Sequence, residues 1–444
     1  MTSTSTLPPK DSPDLHLVVA TPEENLAQTN ANSTEWRGAL SLDAYLRREE
    51  LLMQQDLAKD GGLTAWMLVY QPPGGSGSDG QSQRRVLCGC ESFRKKALLA
   101  KAGRVEDVVA HGIASVFCPP AHRGRGYAGR MMSELGVRLK TWQVGQGGGE
   151  DDGQSSSSTN AFSVLYSDIG KQFYTARGWQ PFPSAHIALP AATATPTKLA
   201  PSLPVTIIDG TRDITELCAI DARLLRQRLA RSTAASASAS ASGRTAVALL
   251  PDRATLDWHH AREAFVATEL HGDGDGGEAP AFLRSGGRGA LVHVGGPEGS
   301  RRVWCYWTRV WTNPSEEAPD TLHILRIVVE DADEDEDNAA DPDSTATDFT
   351  PASGEGVAQL QDSPVVQAIA VLLSAAQTEA ERSGMAEVQV WNPTSITLAA
   401  AQLLDKASSA VVQREEESIA SLLWYGEGSW RDVEWVCNEK YGWC

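Results

Sequence analysis

The sequence predicts an α/β chain (an α+β mixed sheet) in which a complete domain is followed by a degenerate copy of it. Three observations predict this. The first half reads β-α-β-β-β-loop-α-β-α-β. The second half repeats the order hairpin, strand, helix, strand, helix, strand. One glycine-rich loop, "CPPAHRGRGYAGRMM" (118–132), occurs in the first half and has no counterpart in the second.

The elements follow in order. "LHLVVA" (15–20) reads as a strand, and "LSLDAYLRREELLMQQ" (40–55) is the clearest amphipathic part of a polar helical stretch. "LTAWMLVYQP" and "RRVLCGCESF" read as a hairpin with an insertion in its loop. "HGIASVFC" (111–118) is a further strand. Behind the loop, "GYAGRMMSELGVRLKTW" reads as a helix with Met131, Leu135, Val137 and Leu139 among its apolar positions. "AFSVLYS" (161–167) is a buried-type strand, "DIGKQFYTARGW" a short helix stopped by Gly178, and "WQPFPSAHIAL" a closing strand. In the second half, residues 289–312 read as a hairpin and "TLHILRIVVE" as a strand. "PVVQAIAVLLSAAQTEAERSG" (364–384) is an amphipathic helix and "AEVQVWNP" a strand. "TSITLAAAQLLDKA" is a helix capped by Thr394 or Ser395, and "SIASLLWYG" a last strand.

This divides the chain into a disordered N-terminus (1–13), a first domain (14–189), a Pro/Thr/Ala-rich linker (190–204) and a second domain (205–444). Biased stretches at 74–83, 145–158, 232–243, 271–278 and 330–348 read as surface insertions, because they bury too little apolar surface to offset ordering entropy. The acidic run 330–343 is the most extreme of them.

A chain of 444 residues with 41% apolar residues and 13 Trp can fill the cores of two or three domains. A formal net charge of −18 argues against a general nucleic-acid binder, which needs a basic face. The seven cysteines include one C-x-C, Cys88 and Cys90, but no zinc-type spacing, so no metal is expected. An odd count without a signal peptide reads as free thiols in a reducing compartment. With no long apolar stretch, the expectation is a soluble cytoplasmic protein with neither nucleic-acid nor membrane partner. The oligomeric state is not legible.

The loop poses the chemical question. Residues 124–129 match G-x-G-x-x-G, and residues 123–128 match R-x-x-G-x-A. A dinucleotide loop follows the first strand of its unit and is answered by an acidic residue about 20 positions on. Here at least three strands precede the loop, and position +20 falls in a Gly/Ser insertion. No GK[ST] tail is present either. An acyl-CoA pyrophosphate fits better. Small residues opening a helix point successive backbone N–H groups at a phosphate, Gly124 and Gly126 let the backbone approach, and Arg123 and Arg125 add charge.

A second constellation agrees. "YSDIGKQFYTARGWQPF" (166–182) puts Phe173 and Tyr174 on a helix after a strand, with Gly178 and Trp179 just beyond. Together the two motifs resemble those of the GNAT superfamily of acetyl-CoA-dependent N-acetyltransferases, which carry R/Q-x-x-G-x-G/A and then F-Y-x-x-x-G-F. The departures are Ser167, where the family often has Asn, and Gly170, where it often has Ala. The resemblance implies a GNAT fold followed by a GNAT-like second domain that lacks the CoA loop, does not bind CoA and walls the acceptor site. It implies that Val116, Phe117 and Cys118 run along the CoA arm, and that residues Arg123, Gly124, Arg125, Gly126, Tyr127 and Ala128 hold its pyrophosphate. Tyr174 is then the proton donor to the departing thiolate. A backbone amide near Phe117 or Cys118 would stabilise the oxyanion. Cys118 as an acyl-carrying nucleophile has no triad spacing to His111 or His122.

The combination of "LYSDIGKQFYTARGW", a long second half and the ending "WVCNEKYGWC" resembles the fungal lysine N6-acetyltransferases of lysine catabolism. The implied acceptor is free L-lysine. Residues alone support only a primary amine, so a protein-lysine or polyamine acetyltransferase and a non-catalytic CoA-binding module stay open. The general base has three candidates: Glu91, His111 and the terminal carboxylate of Cys444, which follows an aromatic, docked-looking tail.

Overall fold

The computed structural model describes residues 7–72, 84–144, 160–192, 203–209, 211–239, 243–272, 280–285, 287–295, 301–330 and 357–443. The first half contributes β1 (Leu15–Val19), α1 (Pro22–Trp36), α2 (Leu42–Met53), β2 (Leu63–Tyr70), β3 (Arg85–Lys101), β4 (Arg104–Phe117), α3 (Tyr127–Leu139), β5 (Phe162–Ser167), α4 (Gln172–Thr175), β6 (Gln180–Pro181) and β7 (Ala185–Pro190). The second begins with β8 (Val205–Ile207), α5 (Thr211–Ala239), β9 (Thr245–Leu249), α6 (Arg253–His271), α7 (Ala281–Ser285), β10 (Gly289–Val294), β11 (Arg301–Val310) and β12 (Thr321–Val329). It continues through α8 (Pro364–Arg382), β13 (Glu387–Trp391), α9 (Ser395–Leu404), β14 (Val412–Gln413), β15 (Ile419–Trp424) and β16 (Val433–Trp435).

The strands form two mixed sheets. The first runs β1-β2-β3-β4-β5-β15-β6, with β9 beside the far half of β3 and β16 beside β9; the second runs β14-β7-β13-β12-β11-β10-β8. Along its main path each is antiparallel except for one parallel pair, β4 with β5 and β12 with β13; β16 also runs parallel to β9. A parallel pair needs a helical crossover, supplied by α3 in the first sheet and α8 in the second. The predicted mixed-sheet α/β fold and the repeated domain order are therefore present.

The division of strands is not the one expected from the chain order. β7, assigned to the first domain, pairs with β13 in the second sheet, and β15, assigned to the second, sits between β5 and β6 in the first. The two sheets exchange a strand. The physical reason is that β7 and β15 are short apolar runs, and their pairing partners lie about 200 to 250 residues away, where local pattern carries no information. The exchange also shares a core. Phe162, Val164, Ala420 and Leu422 from the first sheet pack in one cluster with Trp304, Tyr306, Leu325 and Val328 from the second.

Two further expectations are corrected. Residues 7–13 pack on α3: Arg130 donates to the carbonyls of Lys10 and Ser12 at 2.7 and 2.8 Å, and to that of Leu15 at 2.8 Å. A single buried-side guanidinium thus orders a segment that composition marks as loose. The Ala/Ser stretch from 232 continues α5 as far as Ala239, because alanine is the best helix former and serine there costs little. Thr233 anchors that end by donating to the Leu229 carbonyl at 2.8 Å and accepting from the Gly103 amide. Most of the other expected insertions, and residues 193–202 of the expected linker, lie outside the described residues.

Candidate active site

β4 and β5 pair in parallel from Ala110 opposite Phe162 to Ile113 opposite Leu165, and no further. β4 then runs on alone to Phe117. Its other edge also breaks register: Glu91 faces Ala114 and Gly89 faces Phe117, so β4 carries one more residue than β3 between these pairs. This is a β-bulge, which bends a strand and re-aims a side chain. Ser115 absorbs the bend in the left-handed region, at φ +52. The result is a wedge between β4 and β5, with residues 115–118 along one lip.

The wedge leads into the loop. Residues 123–126 are exposed, and Gly126, at φ +82, caps α3. A side chain at Gly126 would be strained whatever the space, and its Cβ would lie 2.9 Å from Cδ of Lys10. A Cβ on Gly124, also left-handed, would meet nothing within 4 Å. The space beside Gly124 is therefore open, while the Lys10 stem covers Gly126 at the start of α3. Arg123 donates to the Cys118 carbonyl at 2.9 Å and pairs with Glu35 at 3.1 Å, so part of its charge is committed to shaping the loop. Arg125 makes no ion pair among the described residues. Tyr127 is buried, and its hydroxyl donates to the Pro8 carbonyl. These features fit a pyrophosphate. The Lys10 stem over Gly126 belongs to them, and sequence reasoning missed it because residue 10 fell in the segment expected to be disordered.

Tyr174 lies on the short α4, 7% exposed, in the same apolar cluster as Cys88, Cys90, Ile113 and Leu165, with Val116 and Cys118 packed against it. Motifs 40 residues apart thus meet at the wedge. The phenol has no hydrogen-bond partner among the described residues. Burial pushes its pKa upward, and Cys90 and Asp168 push the same way, so it keeps its proton at neutral pH. The partly exposed Cys118 thiol is held below the ordinary thiol value, chiefly by its neighbour Cys88, whose own thiol is pushed up. His122 directs Nδ1 at the Leu87 carbonyl, 2.9 Å away, and gives Cys118 no base.

The three base candidates fare differently. Glu91 sits at the bulge, where its Oε2 accepts from the Ser115 hydroxyl at 2.7 Å. Burial and the nearby Glu49 raise its pKa to about 7, against the lowering effect of that hydrogen bond. His111 is fully buried on the paired part of β4, with Nε2 on Gln143 and Nδ1 without a partner; burial lowers its pKa to about 4. Cys444 lies outside the described residues. The tail before it is docked: Lys95 donates to the Gly442 carbonyl at 3.0 Å, Tyr441 donates to the Leu249 carbonyl at 2.7 Å, and Trp443 packs in a cluster with Ala114 and Trp258.

Among the described residues no group of three or more His, Cys, Asp and Glu is placed to hold a metal ion, and no helix is long and apolar enough to cross a membrane.

With this wedge, loop and bulge in place, comparison with known proteins identifies the class. The model of the LYC1 GNAT-like C-terminal domain matches residues 186–444, beginning inside β7, and the chain belongs to this GNAT-like family. It is similar to a lysine acetyltransferase of Yarrowia lipolytica, 28% identical over 165 residues, covering 36% of this chain and 39% of that protein. It is also similar to the Saccharomyces cerevisiae protein YGR111W, 25% identical over 174 residues, 36% of this chain and 41% of that one. The matches thus span about two fifths of the length of these curated relatives. Among solved structures, a GCN5-related N-acetyltransferase from Anabaena variabilis aligns with 92% of this chain and 72% of its own, at 13% identity and a TM-score of 0.40. Saccharomyces cerevisiae N-myristoyltransferase with bound myristoyl-CoA aligns with 96% and 82%, at 9% identity and a TM-score of 0.43.

Proposed function

We propose that the protein transfers the acetyl group of acetyl-CoA to a primary amine, and that the amine is the side-chain nitrogen of free L-lysine. The observation that carries the transfer is the wedge itself. A strand lip freed from its neighbour leads at one end to an amide-rich helix start, and at the other to a protonated phenol and a carboxylate poised near neutrality. The name of the Yarrowia relative supports lysine as the acceptor.

The chemistry follows from the groups. CoA lies along residues 116–118 with its pyrophosphate at 123–128. The neutral amine attacks the thioester carbonyl, and an amide near Phe117 or Cys118 takes the oxyanion. Glu91, with a pKa near 7, accepts the proton that the ammonium must lose, directly or through a water. The tetrahedral intermediate collapses, the C–S bond breaks, the Tyr174 phenol protonates the thiolate, and the proton left on the amide nitrogen passes to the Tyr174 phenolate. A buried phenol that holds its proton is a donor at every pH where the amine is free to react.

The test is release of free thiol from acetyl-CoA in the presence of L-lysine, with the product identified by mass spectrometry. N6-acetyl-lysine is expected. Acetyl-CoA bound tightly, but with no thiol release for lysine, polyamines or lysine peptides, would leave only a CoA-binding module.

A further inference from the structure

A cavity of about 500 Å³ opens on the second sheet, walled by β7, β12, β13 and the segment 412–418, and also lined by Lys440 of the C-terminal tail. Its polar lining is unusual. Nη2 of Arg414 and the Nδ1 atoms of His186 and His323 are buried there without a hydrogen-bond partner. Lys440 is 7% exposed, and its ammonium lies 4.4 Å from the Trp391 ring and 4.1 Å from the Trp443 ring, with no carboxylate paired to it among the described residues. Arg414 and His323 are each 9% exposed.

Four basic side chains from four separate segments line one space, and none of them has an ion pair among the described residues. The cluster suppresses its own charge. Burial, with Arg262 and Arg414, brings Lys440 down to about 7, and burial with Arg414 brings His186 to about 4. An anion entering this space would satisfy the donors and remove that repulsion at once.

The cavity adjoins the wedge. In its wall, the Ser418 amide donates to Oδ1 of Asp168 at 2.9 Å, and the Gly170 amide donates to the Glu416 carbonyl at 2.9 Å. Asp168 and Gly170 form the turn from β5 into α4, which carries Tyr174. The Asp168 charge acts on both the Tyr174 phenol and the Lys440 ammonium. At the mouth, Glu415, Glu416 and Glu417 are exposed and carry the opposite sign, which draws an amine inward.

We infer that this cavity holds the carboxylate of the acceptor, so that the protein selects a free amino acid with a side-chain amine over an amine lacking a carboxylate and over a lysine within a peptide. The inference rests on the acetyl-transfer reading and supplies its acceptor subsite. Arg414 and Lys440 hold the carboxylate, and His186 and His323 complete its hydrogen bonds.

The experiment uses the full chain with three amines of the same reach: L-lysine, L-lysinamide and cadaverine. Initial rates give kcat/KM for each, and calorimetry gives Kd without turnover. Wild type is expected to favour lysine over both analogues by at least about 30-fold, since a site built to bond a substrate group strongly rejects analogues that lack it. Lys440→Met keeps the packing between the two indoles and removes the charge, so the preference is expected to collapse to within about threefold through KM. His186→Ala, which removes no hydrogen bond seen here, is expected to narrow the preference less and serves if the first variant does not fold. Transfer to lysine and cadaverine at equal efficiency overturns the inference while leaving acetyl transfer in place. Absence of transfer to any amine, with lysine binding and lysinamide not, upholds the carboxylate site and overturns the enzyme reading. Equal or absent binding of all three overturns the inference.

Discussion

In the first sheet β4 and β5 stay paired as far as Ile113 and Leu165 and then part; in the second, β12 and β13 stay paired as far as Ile324 and Val390 and then part. The backbone event is the same, and what meets the freed lip differs. Along β4 the lip runs into a loop whose glycines open the start of α3. Along β12 the chain meets itself. Glu439 accepts from the Ile327 amide at 3.2 Å and pairs with Arg326, which also holds Asp221 at 2.8 Å. Beyond β12 comes Glu330, bound to Arg302 at 2.7 Å, and α8 starts at Pro364 with Ser363 before it and no glycine turn. A cavity of about 440 Å³ persists in the second wedge, lined by Phe182, Trp391, Trp430 and Trp435. The lesson is that splaying belongs to the fold, while capacity for a phosphate-bearing ligand belongs to the residues that follow the lip. The first lip leads to a helix start opened by glycines, and the second is bonded by a carboxylate of its own chain.

Variants sharpen this contrast. The largest effect is expected at Gly126. Gly126→Glu adds a carboxylate where the pyrophosphate would lie and forces a left-handed backbone on a residue that resists it, so KM for acetyl-CoA should rise at least about 100-fold. Steady-state kinetics on a folded variant check this, and an unchanged KM would move the phosphate elsewhere.

Next come the two proton carriers. Glu91→Gln and Tyr174→Phe should each lower kcat by about 100-fold or more, with acetyl-CoA affinity retained. They differ in pH dependence. Because Glu91 must be deprotonated to accept a proton and its pKa is raised to about 7, wild-type kcat/KM should climb with pH through about 7 and then level. That limb should vanish in Glu91→Gln and persist in Tyr174→Phe. Persistence of the limb in both would return the base to another group.

A smaller effect, of a different kind, is expected in the second wedge. Glu439→Gln removes the charge that answers Arg326 while Asp221 remains, and a lost charge-assisted bond is worth about 1.5–3 kcal/mol. Tm should fall with KM for acetyl-CoA unchanged. A change in that KM would mean that the second wedge also handles the cofactor. The smallest is Gly124→Ala. With nothing near its Cβ, the cost is the left-handed backbone alone, about 1 kcal/mol in chemical denaturation.

Local motifs were legible in the sequence, and pairing was not. The loop and the helix of Tyr174 each announce themselves within a dozen residues, because a glycine turn into a helix and a helix after a strand are local events. Thr394, one of the two expected caps, is found capping α9, with its hydroxyl accepting from the Thr397 amide. The swap of β7 and β15 depends on contacts between residues such as Leu165 and Ser421, which no window spans. Glu91 could be named but not ranked, since its raised pKa comes from burial and, after it, from Glu49 on a different element. His186, His323, Arg414 and Lys440 had no signal at all; each is an unremarkable polar residue until four elements bring them together. His111 could be named as a candidate from its place in the sequence, but its full burial on the paired part of β4 could not be read there.

The central claim is that the chain has one acyl-CoA site, at the β4–β5 wedge. Calorimetric titration of the full chain with acetyl-CoA tests it most directly. The account predicts one equivalent bound per chain, lost in Gly126→Glu and retained in Glu439→Gln. Two equivalents in the wild type, or binding that survives Gly126→Glu and is lost in Glu439→Gln, would contradict it.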